Sequence, residues 1–276
     1  MLGTATLQLL MVGFLVGSAL GSTATVGVTR ALVGGTGTGS AAGSPADRLL
    51  DAFREARVVL GTPGVANAAL AGLARGVPGL DADAARRIAG HVVGVDHLGF
   101  LLPPVTPTSA AADDDDDDAT TLLDADAVLA LAGRAGFDRG ARAFPSTVVA
   151  RELGAMCGRD EIPTLLLKAF ALLPDGREVG IELFLPDASA VPDASAVERW
   201  IAEGAESHVA LRVRSRDSIH AIHEELRAAG FPLPDFMRGR PMENPVGDVL
   251  LLYVDLPDGR MEFYYDESGP AAADAR

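Results

Sequence analysis

VDHLGFLLP at residues 95–103 and ESHVALRVR at residues 206–214 are the two stretches that decide how this chain folds. Each is a short, largely apolar run with histidine at its third position, and each reads as a strand. The segments after them match too. DADAVLALAGRAGF at 124–137 and SIHAIHEELRAAGF at 218–231 are helical in pattern, and both end on Ala-Gly-Phe, where glycine stops a helix by taking the left-handed conformation. FALLPDGREVGIELFLPD at 170–187 then matches LYVDLPDGRMEFYYDE at 252–267, each a strand, a Leu-Pro-Asp-Gly turn and a strand. A further strand is expected between helix and hairpin, within FPSTVVARELG (144–154) in the first copy and FMRGRPMENP (236–245) in the second. Self-similarity of this kind marks a duplicated supersecondary unit. The fold class is α+β, with paired βαβββ modules at 93–190 and 204–268.

The first copy is longer because it carries PPVTPTSAAADDDDDDATT between strand and helix. A Pro/Thr/Ala/Asp tract of this kind reads as a disordered surface insertion over 104–121. Ahead of the repeats lies a helical extension over 45–92. ADRLLDAFREARVVL (46–60), with Ser44 as a candidate cap, VANAALAGLARG (65–76) and DADAARRIAGHVV (81–93) all space their apolar residues three and four apart.

Residues 1–44 read as leader and linker, and 269–276 as a disordered tail. Residues 1–29 carry no charged side chain, Leu9–Leu20 looks like the apolar region of a signal peptide, and Ala19-Leu20-Gly21 offers small residues for cleavage. No Lys or Arg precedes that stretch, however, and Gly, Ser and Thr dilute it. A cytoplasmic protein is expected, with secretion or anchoring through residues 1–29 as the other reading and no stable membrane association unless that segment is retained. GGTGTG at 34–39 lacks the lysine of a phosphate loop, so ALVGGTGTGSAAGS (31–44) is read as a flexible linker.

Composition narrows the partners. At 276 residues and 48% hydrophobic, the chain has ample material for a core. Its net charge is −15, six of which come from Asp113–Asp118, and this acidity excludes nucleic acid as the natural partner. Cys157 stands alone, which rules out an intramolecular disulfide or a cysteine-rich zinc knuckle.

The polar residues fall in a repeated pattern. Each copy places a histidine in its first strand and a glutamate in its last, His97 with Glu182 and His208 with Glu262. Two imidazoles and two carboxylates suit a divalent Zn, Fe, Ni, Co or Mn ion and leave positions for a substrate oxygen. In GIELFLP, Glu182 shares a strand face with Gly180 and Phe184; in RMEFYYD, Glu262 shares one with Arg260 and Tyr264. The plainer reading has both glutamates in solvent and both histidines as ordinary strand residues. Equivalent placement in two copies favours the metal. His220 and His223 have a ligand-like spacing, but their neighbours Glu224, Glu225 and Arg227 read as a solvated helix face. His91 ends or follows a helix. Arg151, Lys168, Arg238 and Arg240 are candidates to hold an anionic substrate, and Tyr253 and Tyr264 either line a site or pack.

VDHLGF, SHVALRV, the two LPDG hairpins, GIELF and RMEFYY together resemble the vicinal oxygen chelate superfamily, which includes glyoxalase I, epimerases, extradiol dioxygenases and bleomycin-resistance proteins. The resemblance covers about residues 92–267 and leaves the helical extension and acidic insertion outside it. It implies paired modules in a curved, cupped mixed sheet, with metal ligands from the first and last strand of each module. On that resemblance the chain is a metal-dependent isomerase, epimerase or glyoxalase-like lyase acting through a metal-stabilised enediolate, with Glu182 and Glu262 as the catalytic pair. The alternatives are an Fe(II)-dependent dioxygenase using His97, His208 and Glu262, with Glu182 a spectator, and a metal-free drug-binding protein. A small-molecule substrate is expected as partner, no cofactor beyond the metal, and a homodimer is compatible with the pattern.

Overall fold

Helix and strand signals in the sequence translate into the elements of the structure, a computed structural model describing residues 45–102, 124–192, 207–231, 242–243, 249–256 and 259–266. In chain order these are α1 (Pro45–Gly61), α2 (Val65–Gly76), α3 (Ala82–His91), β1 (Val92–Leu101), α4 (Ala125–Arg134), β2 (Arg139–Pro145), α5 (Thr147–Met156), β3 (Thr164–Leu172), β4 (Glu178–Pro186), β5 (His208–Val213), α6 (Arg216–Ala228), β6 (Met242–Glu243), β7 (Val249–Leu256) and β8 (Gly259–Asp266). The leader, linker, Ser44, acidic insertion, Arg238, Arg240, tail and Pro257-Asp258 corner lie outside the described residues. No helix among the described residues is long and apolar enough to cross a membrane.

Capping explains where the helices begin. Asp81, Asp124, Ser146 and Ser215 each sit in extended backbone one residue ahead of a helix and accept from a backbone N–H three residues on. The two Ala-Gly-Phe signatures end helices as expected, with Gly136 at φ 92° and Gly230 at φ 72°. In the first hairpin, Leu173 N–H donates to Arg177 O at 2.8 Å, and Gly176 takes φ 85°, a turn that glycine adopts without the strain a side chain would add.

The strand order β-α-β-β-β is present in both copies, with one correction. In the first copy the strand between helix and hairpin is Arg139–Pro145, largely ahead of the expected window, and TVVARELGAM is helix α5. Ser146 caps that helix, and Val149, Ala150 and Leu153 form its buried stripe; a stripe at this period outweighs the strand preference of Thr147-Val148-Val149. In the second copy Met242–Glu243 falls inside the expected window.

Contacts divide the chain into two units. One takes residues 45–58, 99–102 and 124–192. Here β2, β3 and β4 form an antiparallel run, and Leu102 N–H donates to Phe184 O at 2.8 Å. Its core gathers Leu101, Val149, Leu153, Ile162, Leu166 and Phe184, with Cys157 packed against it as a small hydrophobe.

The other unit takes residues 59–98 and the described residues from 207 onward. Its strand order is β1-β5-β8-β7-β6, with β5 and β8 parallel and β7 and β8 antiparallel. Ile219, Ile222 and Leu226 of α6 are buried, and the helix packs on β5, β7 and β8. Strand alternation gives that helix the row Val209, Leu211, Val213 from β5 and Met261, Phe263 from β8, all buried. The opposite row carries His208, Ala210 and Arg212 beside Arg260, Glu262 and Tyr264. Close packing of α6 by its apolar partners thus presents a polar strand face on the other side.

Candidate metal centre

Side chains of β1, β5 and β8 meet on that polar face. His97 Nε2 lies 3.2 Å from His208 Nε2. The same Glu262 Oε2 stands 3.0 Å from His208 Nε2 and 3.4 Å from His97 Nε2. All three side chains are at most 2% exposed. Three basic atoms therefore form a small triangle sealed from water. Tyrosines hold the rings in place: Tyr264 stacks edge-on against His97 with centroids 5.3 Å apart, and Tyr253 against His208 at 5.9 Å.

The geometry can be tested against a bound ion. Nitrogen and oxygen ligands bind a zinc-like ion at about 2.0–2.2 Å, so two ligands at tetrahedral to octahedral angles stand roughly 2.8–3.6 Å apart. All three edges of the triangle fall in that range. Glu262 Oε2 is moreover buried without a hydrogen-bond partner, which costs about 1–3 kcal/mol in a protein interior and is relieved by a cation. The donor set, two imidazoles and one carboxylate, suits Zn, Fe, Ni, Co or Mn. The residues fit a divalent metal.

Electrostatics point the same way. Burial pushes the Glu262 carboxyl up, but the imidazoles of His208 and His97 push it down by more, to about 2. The group is a carboxylate at any physiological pH. Behind His97, Nδ1 lies 2.9 Å from Asp96 Oδ2, and Arg212 Nε donates to Asp96 Oδ1 at 2.6 Å. Neither Asp96 nor Arg212 stands out in the sequence as a site residue. The signal for Asp96 is its place next to His97 in VDH; nothing local marks Arg212 as its partner.

Glu182 sits in the other unit, where β3 and β4 pair Lys168 with it across the ladder. Lys168 Nζ lies 2.6 Å from Glu182 Oε1, both side chains under 10% exposed. Lys168, expected as a candidate for an anionic substrate, is thus the partner that a carboxylate inside a strand requires, and its Nζ also lies 5.5 Å from the Phe170 ring. Glu182 also lies twice as far beyond Gly176 as Glu262 lies beyond Gly259, so the two carboxylates do not occupy the same rung of their hairpins. Arg151 is exposed on α5. His220 is exposed and His223 half-buried on α6, as a solvated face requires, and His91 ends α3 with Nδ1 3.1 Å from Ser218 Oγ.

No protein-family model matches the chain. No curated protein matches it either. Among solved structures, a crystal structure of a "putative glyoxalase superfamily protein" from Ralstonia eutropha JMP134 aligns over 92% of this chain and 94% of that one, with a TM-score of 0.39 and 12% identity. The reading of this chain's chemistry therefore rests on its own side chains.

Proposed function

We propose that this protein is a metal-dependent enzyme that takes a small substrate by neighbouring oxygens at an ion held by His97, His208 and Glu262. The observation that carries the reading is the buried triangle of two imidazole nitrogens and one orphaned carboxylate oxygen, with edges of 3.0, 3.2 and 3.4 Å. Three protein ligands on one side leave coordination positions open, which is how catalytic rather than structural sites are built. When bound, a divalent ion supplies a Lewis acid that lowers the cost of negative charge on substrate oxygens.

Isomerisation, epimerisation or glyoxalase-like lysis of a hydroxy ketone or a related carbonyl compound asks least beyond these residues. Glu262 offers the second, non-ligating carboxylate oxygen for a proton carried away from the carbon next to a carbonyl, and the edge-on tyrosines pack the two imidazole rings in place. The resemblance of VDHLGF, SHVALRV, GIELF and RMEFYY to the vicinal oxygen chelate superfamily supports the same class.

A second reading, Fe(II)-dependent oxygen chemistry, is favoured by one observation. Lys168 holds the Glu182 carboxylate in a buried ion pair, and His97, His208 and Glu262 supply the two histidines and one carboxylate that such chemistry uses. Metal analysis of the purified protein followed by oxygen uptake with vicinal-oxygen substrates separates them. Stoichiometric Zn, Ni or Co with no uptake supports the isomerase or lyase; bound Fe(II) with uptake overturns it in favour of the dioxygenase. A chain that takes no divalent metal, or one that takes it equally well as His208→Ala, overturns both.

A further inference from the structure

We infer that Asp96, anchored by Arg212, is a positioning residue that locks His97 in one tautomer and so makes its Nε2 available as a ligand. Neutral imidazole has one N–H, and which nitrogen carries it is decided by the hydrogen bond the other makes. Asp96 Oδ1 already accepts from Arg212 Nε at 2.6 Å, so the group facing His97 is a carboxylate, which can only accept. At 2.9 Å from Asp96 Oδ2, Nδ1 is therefore the protonated nitrogen. Nε2 then carries the lone pair, and it is Nε2 that faces His208 and Glu262.

The two histidines are consequently unequal. Only one proton fits between the facing Nε2 atoms at 3.2 Å, and with His97 as acceptor it resides on His208 in the metal-free protein. His97 is ready to bind, whereas His208 has to give up its Nε2 proton to the incoming ion. An outer carboxylate of this kind also raises the basicity of the imidazole, and losing it typically weakens metal binding by about 10–100-fold.

Arg212 is part of the device rather than a bystander. In Asp96→Asn, the guanidinium holds the amide oxygen, which turns the NH₂ toward His97 Nδ1. An NH₂ donates, so Nδ1 has to accept and the proton moves to Nε2, blocking the ligand atom. Arg212→Gln keeps the carboxylate but loosens its anchor, and since the Arg212 side chain is 21% exposed this variant disturbs less of the interior.

The test uses the full chain labelled with ¹⁵N-histidine and stripped of metal, with long-range ¹H–¹⁵N correlation reading each ring's tautomer and His97→Gln assigning the signal. His97 is expected as the Nδ1–H form in the parent and as the Nε2–H form in Asp96→Asn. Titration with Co(II), followed by visible absorption, is then expected to show about 10–100-fold weaker binding and an altered spectrum in Asp96→Asn, with a smaller loss in Arg212→Gln. An Nε2–H His97 in the parent, or parental Co(II) affinity and spectrum in both variants, overturns the inference. Because the affinity arm rests on the proposed metal site, the tautomer arm is read separately. If the parent binds no Co(II) yet the tautomer switches in Asp96→Asn, the enzyme reading falls and the lock stands.

Discussion

Lys168 and Glu182 form a pair whose energetics can be measured away from any metal. Breaking a buried ion pair by removing one partner leaves an uncompensated charge and costs about 3–5 kcal/mol, while replacing both by apolar groups is close to neutral. Lys168→Met is therefore expected to lower the urea midpoint sharply, and Lys168→Met with Glu182→Leu to recover most of the loss. If Lys168→Met alone is neutral, the pair is not formed as described. Glu182→Ala with full activity would also remove that residue from ligand and base roles alike. Glu262 makes a pH-dependent prediction. Its folded pKa of about 2 lies below the ordinary glutamate value near 4.3, so the carboxylate's contribution to the metal-free protein is present above about pH 4.3 and lost as pH falls toward 2. Glu262→Gln should flatten acid unfolding through that window; an unchanged acid transition would show that the carboxylate is not held down by the two imidazoles.

Elements were legible in the sequence wherever their cause is local. Both Ala-Gly-Phe stops and the first Leu-Pro-Asp-Gly corner follow from backbone preferences within a few residues, and the caps Asp81, Asp124 and Ser215, which the structure adds, have causes just as local. β2 escaped because RGARAFP is exposed along almost its whole length and shows no apolar alternation, as suits an edge strand. The Lys168–Glu182 pairing could have been read by counting back from the LPDG corner, which matches Leu172 with Glu178 and hence Lys168 with Glu182. Asp96 with Arg212 could not, since their partnership spans 116 positions and belongs to the fold rather than to either strand. One close approach is equally invisible in sequence. A Cβ on Gly79 would collide with the backbone carbonyl of Ala229 just beyond α6, where no side chain can swing aside. Gly79→Ala is expected to cost about 1–3 kcal/mol as overpacking does, more than the loss of the α6 cap in Ser215→Ala at about 1 kcal/mol. Thermal melts of the two variants check the order, and a neutral Gly79→Ala would deny that contact.

At the scale of the whole molecule, the division into two units gives metal binding a footprint. His97, His208 and Glu262 all belong to the unit made of residues 59–98 and those from 207 onward, although His97 comes from the first repeat and the others from the second. An ion that binds the folded state and not the unfolded one stabilises by about 2.7 kcal/mol at a hundredfold excess over its dissociation constant, and that stabilisation reaches the amides whose opening would break the site. Hydrogen exchange of the chelator-treated chain, compared with the same chain in Zn or Co(II), should therefore show slowed exchange in β1, β5 and β8, with β2 and β3 unchanged. The measurement also bears on Glu182, the fourth ligand expected from the sequence, which belongs to the other unit. Slowing that extends to β4 would put Glu182 among the metal's ligands and return the fourfold set to the isomerase reading; slowing confined to β1, β5 and β8 leaves three ligands and Glu182 with Lys168. Uniform slowing across all strands would mean that the ion acts on global unfolding, and the site would lose its local signature.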